Sequence, residues 1–140
     1  MQRYEMDIEK TSHVPFFKGF SRDDLAYLQN ACTEYGFEPG EVIKDFGQQP
    51  SDYWVLLDGG WTLEVQGGAS RDVERSEVSW VGPQEGVDPA PLKLSASKTS
   101  YVLNVPKDVM QKLKDDKASV KRNLQKGAEY TAQFLGDRDA

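Results

Sequence analysis

The chain has 140 residues, one cysteine and a formal net charge of −6, which suits one domain large enough to fold without a disulfide or metal staple. The acidic balance argues against a nucleic-acid partner, because phosphate binding needs a basic surface. A polar N-terminus excludes a signal peptide, and no segment approaches the roughly 20 apolar residues of a membrane helix. We therefore expect a cytoplasmic protein that neither enters a membrane nor binds nucleic acid.

The first predicted helix begins after Ser21, a favourable N-cap residue, with Asp24 at the third helical position as a variant of the capping box. Leu25, Leu28 and Cys32 then recur at helical spacing and predict one buried face. We interpret Cys32 as a small apolar core residue and not as a catalytic thiol.

Short strands follow this helix. Tyr35 and Phe37 alternate with polar residues, and the sequence 38–41 (Glu-Pro-Gly-Glu) is a turn signal before a strand at Val42 and Ile43. Residues 53–57 form a continuous apolar run, residues 58–60 break it, and apolar side chains alternate again at Trp61, Leu63 and Val65. This pattern predicts a hairpin over residues 53–65 with one buried face.

The stretch 82–91 contains three prolines and two glycines, so a regular strand or helix through it is not expected. Strands are predicted again near residues 92–96 and 101–105. Pro106 then opens a short helix over 107–113, and Asp115 and Asp116 are predicted to start a final helix that ends near Gly136. The apolar positions of that helix include Val120 and Leu124.

Many short strands with glycine turns, flanked by helices, predict a mainly β fold. We expect a double-stranded β-helix or jelly-roll barrel with an N-terminal helix and C-terminal helices. The predicted organisation is an N-terminal extension over 1–13, the barrel domain over 14–135 and a tail over 136–140.

Four segments together resemble the cyclic-nucleotide-binding domain family. Residues 14–21 (Val-Pro-Phe-Phe-x-x-Phe-Ser) are similar to the family's entry into its first helix, and residues 37–43 (Phe-x-Pro-Gly-Glu-Val-Ile) resemble its first barrel hairpin. The sequence 46–59 fits the next two strands in order and spacing. Residues 105–110 (Val-Pro-Lys-Asp-Val-Met) look like the strand-to-helix exit before the family's long C-terminal helix. The resemblance spans about residues 14 to 135 and implies the same fold and a regulatory role.

The resemblance fails where family members hold the cyclic phosphate. They carry Gly-Glu-Leu/Ala and later Arg-Ser/Thr-Ala there, so that an arginine pairs with the phosphate. Here the arginine position falls near Ala90, and no arginine or lysine occurs between Arg75 and Lys93. Burying a monoanion costs desolvation free energy, and without a charged donor no interaction offsets that cost. We therefore expect weak or no binding of cAMP or cGMP. The candidate ligand-binding residues are those at positions equivalent to the family's phosphate-binding segment, namely Trp80, Gly82, Glu85, Gly86, Ala90, Pro91 and Leu92.

No motif in the sequence indicates catalysis. Related barrels in cupins mount a metal on several histidines, whereas this chain has only His13, so we predict no metal, no catalytic residue, no cofactor and no enzyme. The favoured function is a regulatory or scaffolding binding module. The alternative is a small-molecule sensor with a rearranged pocket, in which Trp80 and the proline-rich stretch line an apolar cavity. The identity of a protein partner stays open, and the final helix is a candidate seam for a homodimer.

Overall fold

The computed structural model describes residues 1–44, 52–65, 70–74, 80–81 and 92–136. Within these ranges the helices and strands follow one another in the order β1 (Gln2–Tyr4), α1 (Ile8–Ser12), a 3-10 helix (Pro15–Phe17), α2 (Arg22–Ala31), β2 (Thr33–Phe37), β3 (Val42–Lys44), β4 (Tyr53–Asp58), β5 (Gly60–Val65), β6 (Ser70–Glu74), β7 (Trp80–Val81), β8 (Leu92–Ala96), β9 (Ser100–Val105), α3 (Lys107–Asp116) and α4 (Ala118–Gly136).

The strands form two antiparallel sheets. Sheet A has the order β1-β2-β9-β4-β7, and sheet B has the order β3-β8-β5-β6. Consecutive described strands alternate between the sheets except for the pairs β1–β2 and β5–β6, so the chain changes sheets at every step from β2 to β5 and from β6 to β9. This is the predicted jelly-roll architecture with helices at both ends, so the predicted fold class is confirmed.

Sheet A is buried on both faces. Its outer face packs against the helices through a cluster that includes Phe16, Leu28, Val55 and Leu103, each 0–1% exposed. Its inner face meets sheet B through a second cluster. This arrangement explains the continuous apolar run of β4, because Val55 and Leu57 face the helices while Leu56 faces sheet B.

The predicted hairpin over residues 53–65 is wrong. β4 pairs with β7 and β9 in sheet A, whereas β5 pairs with β6 and β8 in sheet B. Gly59 makes the corner, with a φ of +93° and a position where a Cβ would lie 2.5 Å from the Ser100 hydroxyl oxygen. That buried hydroxyl accepts from the Gly60 N–H at 3.0 Å and donates to the Gly60 carbonyl at 2.7 Å. The glycines that suggested a hairpin turn therefore let the chain change sheets.

The capping of α2 follows the sequence prediction. The Ser21 hydroxyl accepts from the Asp24 N–H at 3.1 Å, and the Asp24 carboxylate accepts from the Ser21 N–H at 2.9 Å. Leu25, Leu28 and Cys32 are buried as expected.

The two acids predicted to start the final helix instead end the preceding one. α3 runs to Asp116, and α4 begins at Ala118. Asp115 and Asp116 thus lie where the helix dipole disfavours negative charge, and the Gln111 side-chain amide donates to Asp115 at 3.0 Å. The apolar face of α3, formed by Val109, Met110 and Leu113, continues to the end of the helix and outweighs the weak dipole signal.

The first thirteen residues pack on the domain. β1 pairs with β2, and Met6 is 1% exposed in the helix-side cluster. Glu34 of β2 accepts from the Asp7 N–H at 3.0 Å and from the Lys10 ammonium at 2.9 Å. β1 and α1 were not predicted from the sequence. The proposed domain boundaries, at residues 13/14 and 135/136, stay predictions. None of the helices in the described ranges is long and apolar enough to cross a membrane.

Candidate functional site

Most of the predicted ligand-binding segment lies outside the described residues. This applies to Gly82, Glu85, Gly86, Ala90 and Pro91. Leu92 begins β8, where its backbone pairs with Val65 of β5. The assignment of these residues to a ligand site therefore stays a prediction.

Trp80 lies on the helix side of sheet A. It pairs with Val55 of β4 and is 8% exposed. Its ring packs edge-on against Phe16, with ring centroids 4.9 Å apart. Its indole Nε1–H is buried and has no hydrogen-bond partner among the described residues. Trp80 thus contacts the helical layer and does not enter the space between the sheets, and its predicted role in ligand binding remains open.

The centre of the space between the sheets is filled by apolar side chains. Trp61, Leu63 and Leu94 of sheet B are each 0–1% exposed there, opposite Leu56 and Val102 of sheet A. Trp54 belongs to the same cluster but is only partly buried. Trp61 fills the middle of the sandwich, whereas Trp54 lies where the interior is less tightly covered.

A lysine that no sequence motif indicated also faces this interior. Lys44 ends β3 and pairs with Leu94, which in turn pairs with Leu63. Directly paired residues share a face of the sheet, so Lys44 lies in the inner row of sheet B, and it is only 4% exposed. The register shifts between Val42 and Lys44 because of a β-bulge, so that Val42 is exposed and Lys44 is not. A bulge re-aims the side chains that follow it, which is why simple alternation does not predict the position of Lys44.

Two aromatic rings and a guanidinium lie on the face of sheet A that is turned toward sheet B. Arg3 of β1 pairs with Tyr35 of β2, and its guanidinium carbon lies 5.9 Å from the Tyr35 ring centroid. The Tyr35 and Trp54 rings are tilted against each other with centroids 6.0 Å apart. Both rings are partly buried against the core between the sheets. This part of sheet A therefore combines two partly buried aromatic rings with an exposed guanidinium.

The remaining candidate reactive groups show no catalytic arrangement in the described ranges. Cys32 is buried in the helix-side cluster, where it was predicted to be a small apolar core residue, and desolvation raises the pKa of its thiol to about 12. His13 is exposed at the end of α1. Among the described residues no group of histidine, cysteine and acidic side chains could hold a metal ion.

The start of α4 packs on its own domain. Val120 is 0% exposed in the helix-side cluster, and Leu124 packs against the same cluster. The Asn123 side-chain amide donates to the Phe16 carbonyl at 3.1 Å. Lys117, just before α4, forms an ion pair with Asp24 at 2.8 Å and lies 5.0 Å from the Phe20 ring centroid. These contacts hold the helix against the N-terminal layer, and a dimer through α4 stays a prediction.

Neither a family model nor a curated protein sequence matches the chain, but solved structures do. A cAMP-bound PfPKA-R structure superposes with a TM-score of 0.68 at 14% identity, over 91% of this chain and 45% of the other. The regulatory subunit of a cAMP-independent protein kinase A from Trypanosoma brucei gives 0.63 at 16% identity, over 91% and 50%. A protein from Geobacter metallireducens GS-15, titled as a cyclic nucleotide-binding protein, gives 0.63 at 17% identity, over 94% and 98%.

These matches define the class of the fold. The chain has the fold of cyclic-nucleotide-binding domains, as the sequence resemblance predicted. It spans about half the length of the two kinase regulatory subunits, 45% and 50%. At identities of 14–17% the likeness is one of architecture.

Proposed function

We propose that this chain is a non-enzymatic regulatory or scaffolding module with a cyclic-nucleotide-binding fold, and that residues 82–92 do not hold cAMP or cGMP in the family's way. The observation that carries the proposal is the composition of this segment, which has no arginine or lysine and contains three prolines. Each proline removes one backbone N–H from a phosphate cradle. Glu85 and Asp88 add negative charge to the same stretch.

Two further observations support this function. Trp61, Leu63 and Leu94 fill the middle of the sandwich and are each 0–1% exposed, which leaves little room there for a buried nucleotide. One structural relative is titled as the regulatory subunit of a cAMP-independent protein kinase A. This relative gives a parallel for a domain of this architecture that works without cAMP. For the present chain we propose that the regulated partner is a protein.

The proposal is tested by thermal unfolding with and without millimolar cAMP or cGMP. A ligand at about 100 times its dissociation constant stabilises a fold by roughly 2.7 kcal/mol, which is a shift of several degrees for a domain of this size. We expect no shift with either nucleotide. A clear shift with either nucleotide would mean that residues 82–92 bind the phosphate without an arginine or lysine, and would refute the proposal.

The second candidate is a small-molecule sensor with a rearranged pocket. The observation that favours it is the pair of aromatic rings, Tyr35 and Trp54, which pack against the core between the sheets and stay only partly buried. Ligand retained through purification, detected by mass spectrometry of the denatured protein, would favour the sensor.

The predicted homodimer through the final helix is tested separately. Sedimentation of a monomer at high protein concentration would exclude it.

A further inference from the structure

A small cavity lies at the β1 end of sheet A. Its volume is about 160 Å³, and its walls come from β1, from the end of β2 with the connection that follows it, and from residues 99–101 at the start of β9. Gln2, Gly36 and Tyr101 stand side by side in one row of this sheet. Tyr101 packs against the helix-side cluster, so the cavity opens on that side and not between the sheets.

Two tyrosine rings form a corner of this cavity. Tyr4 of β1 and Tyr101 of β9 meet edge to face, with ring centroids 6.0 Å apart and planes inclined by 65°. Both rings lie against Gly36 of β2, where a Cβ would be 2.8 Å from a Tyr4 ring carbon and 3.4 Å from a Tyr101 ring carbon. The missing side chain at position 36 therefore lets the two rings come together.

Two glutamates give the cavity its charge. The Glu41 carboxylate accepts hydrogen bonds from the Met1 ammonium and from the Glu38 N–H, the latter at 2.8 Å. These two hydrogen bonds, with that from Met1 the stronger, hold the pKa of the Glu41 carboxyl below its ordinary value of 4.5. The Glu38 side chain is exposed and forms no ion pair within the part of the chain that the structure describes. Two carboxylates and one ammonium line the cavity, so one negative charge is left for a ligand.

This surface already accepts cations from its own chain. The Met1 ammonium contacts Glu41 at the cavity wall. The Lys10 ammonium lies 3.8 Å from the Tyr101 ring centroid and is paired with Glu34 at 2.9 Å. Because Glu34 balances Lys10, that lysine does not neutralise Glu38. The rings and carboxylates here are thus arranged as in sites that bind organic cations.

The size of the cavity decides which class of ligand it holds. Pockets that enclose a whole small molecule usually measure about 300–1,000 Å³, whereas a cavity of about 150 Å³ takes a benzene-sized group. At about 160 Å³ the cavity fits the head of one side chain. A guanidinium suits it better than an ammonium, because the planar group stacks on aromatic rings and donates two parallel hydrogen bonds to a carboxylate.

We propose that this cavity binds an arginine side chain of a protein partner, with the guanidinium against the Tyr4 and Tyr101 rings and paired with Glu38. The inference rests on the proposed regulatory or scaffolding function and names the chemistry of its protein partner. Glu41 is a positioning residue, because it holds the backbone of Glu38. Tyr4 and Glu38 are exposed, so a partner's chain has access to them. The net charge of −6 favours association with a basic partner.

The probe for the test is a short glycine–serine peptide with one central arginine, capped at both ends so that it carries a single charge. The matched peptide contains citrulline, a neutral isostere of arginine. We expect the arginine peptide to shift the backbone amide signals of Gly36, Glu38 and Thr99 in an NMR titration of the full chain at low salt. The shifts should shrink at high salt, which screens exposed charges. The citrulline peptide should bind several-fold more weakly.

The variants test the charge and the ring separately. Glu38→Gln should weaken binding of the arginine peptide about two- to fivefold, as expected for an exposed ion pair. Tyr4→Leu should weaken it by about the same factor, and Tyr4→Phe, which keeps the ring, should retain the affinity. Glu9→Gln is the matched control, since Glu9 is exposed and does not line the cavity. Because the substituted side chains are exposed, all four variants should melt near the wild-type temperature.

The proposal is overturned if the arginine peptide leaves the three amide signals unshifted, if the citrulline peptide binds as tightly, or if Glu38→Gln behaves like Glu9→Gln. Ethylguanidinium, the head group without a peptide chain, tests the source of the cation. Its binding without binding of the peptide would assign the cavity to a small cation and refute the protein partner. A thermal shift with cAMP would refute the proposed loss of the phosphate site and would leave the peptide titrations unchanged, so the two failures are distinguishable.

Discussion

The two sheets of this domain are covered in different ways. Sheet A is a central layer, with the helical cluster on one face and sheet B on the other. Sheet B contributes Leu63, Leu94 and Ala96 to the interior, whereas Thr62 and Ser95, which pair on its other face, are only partly buried. The difference shows that the helices cover the outer face of sheet A, which sheet B alone would leave exposed to solvent.

The largest effect is expected from breaking the helix-side cluster. Phe16 is 1% exposed and contacts both Phe17 and Trp80. Phe16→Ala removes this ring and should lower the free energy of unfolding by about 3–5 kcal/mol, as is usual for a fully buried phenylalanine. Urea denaturation followed by circular dichroism measures it. Val42→Ala, on an exposed side chain of sheet B, should change stability by less than about 0.5 kcal/mol, and an equal loss in both variants would contradict the layered core.

The next effect concerns the corner between the two sheets. A Cβ at Gly59 would lie 2.5 Å from the Thr99 carbonyl oxygen, whereas one at Gly40 would meet nothing within 4 Å, although both glycines have a positive φ. Gly40→Ala should cost about 1–2 kcal/mol for the left-handed conformation. Gly59→Ala should cost about 1–3 kcal/mol more, because backbone must move. Thermal unfolding of both variants compares them, and a Gly40 variant as unstable as the Gly59 variant would refute the steric argument.

A smaller effect is expected at the contact that holds α1 on sheet A. Glu34 is 2% exposed and accepts from the Asp7 N–H and the Lys10 ammonium, while Lys10 also lies 3.8 Å from the Tyr101 ring centroid. Glu34→Gln keeps the volume but removes the charge, and should cost about 1–2 kcal/mol. Glu9→Gln, on an exposed residue of the same helix, serves as the control. Hydrogen exchange of α1 measures the result, and unchanged protection in Glu34→Gln would show that the ion pair does not anchor the segment.

The smallest effect is pH-dependent. The hydrogen bond from Lys117, followed by that from the Ser21 N–H, holds the pKa of Asp24 below its ordinary value of 3.8. The folded state therefore favours the ionised carboxylate, so this stabilisation is complete above the ordinary pKa and is lost as the pH falls through the lower folded pKa. Its size should be about 0.5–1 kcal/mol for a partly exposed pair.

Asp24→Asn should remove this contribution at pH 7 and leave stability near pH 2 almost unchanged, as measured by urea denaturation at both pH values. The neighbouring Asp23 is exposed in the first turn of α2, and Asp23→Asn is the matched control. If both variants lose the same stability at pH 7, the effect belongs to the helix dipole and not to the contact with Lys117.

Local signals predicted the elements that depend on neighbouring residues. The capping box of α2 formed as expected, because Ser21 and Asp24 interact within one turn. The end of α3 was predicted too early, because Asp115 and Asp116 were read as a helix start although buried packing of Leu113 extends the helix. Residues 2–12 were not predicted as β1 and α1, since their contacts with Glu34 and Gln29 come from distant parts of the chain.

For the candidate site, the sequence directed attention to Trp80 and residues 82–92, whereas the structure drew it to Arg3, Tyr35, Lys44 and Trp54. Arg3, Tyr35 and Trp54 belong to three strands of sheet A, and only pairing between strands brings them together, whereas Lys44 lies in the inner row of sheet B. The bulge in β3 reverses the face that alternation assigns to Lys44. No local pattern reports such a shift.

The sequence by itself determined the architecture, because strand periodicity, glycine turns and caps are local and agree with one another along the chain. It also determined that residues 82–92 lack the positive charge a cyclic phosphate needs. The tertiary structure alone decided which strands share a sheet, since Gly59 can serve a hairpin or a corner and only the partners of β4 and β5 distinguish them. It decided equally which charges face the interior, because register is set by pairing across the whole sheet and not by the residues of one strand.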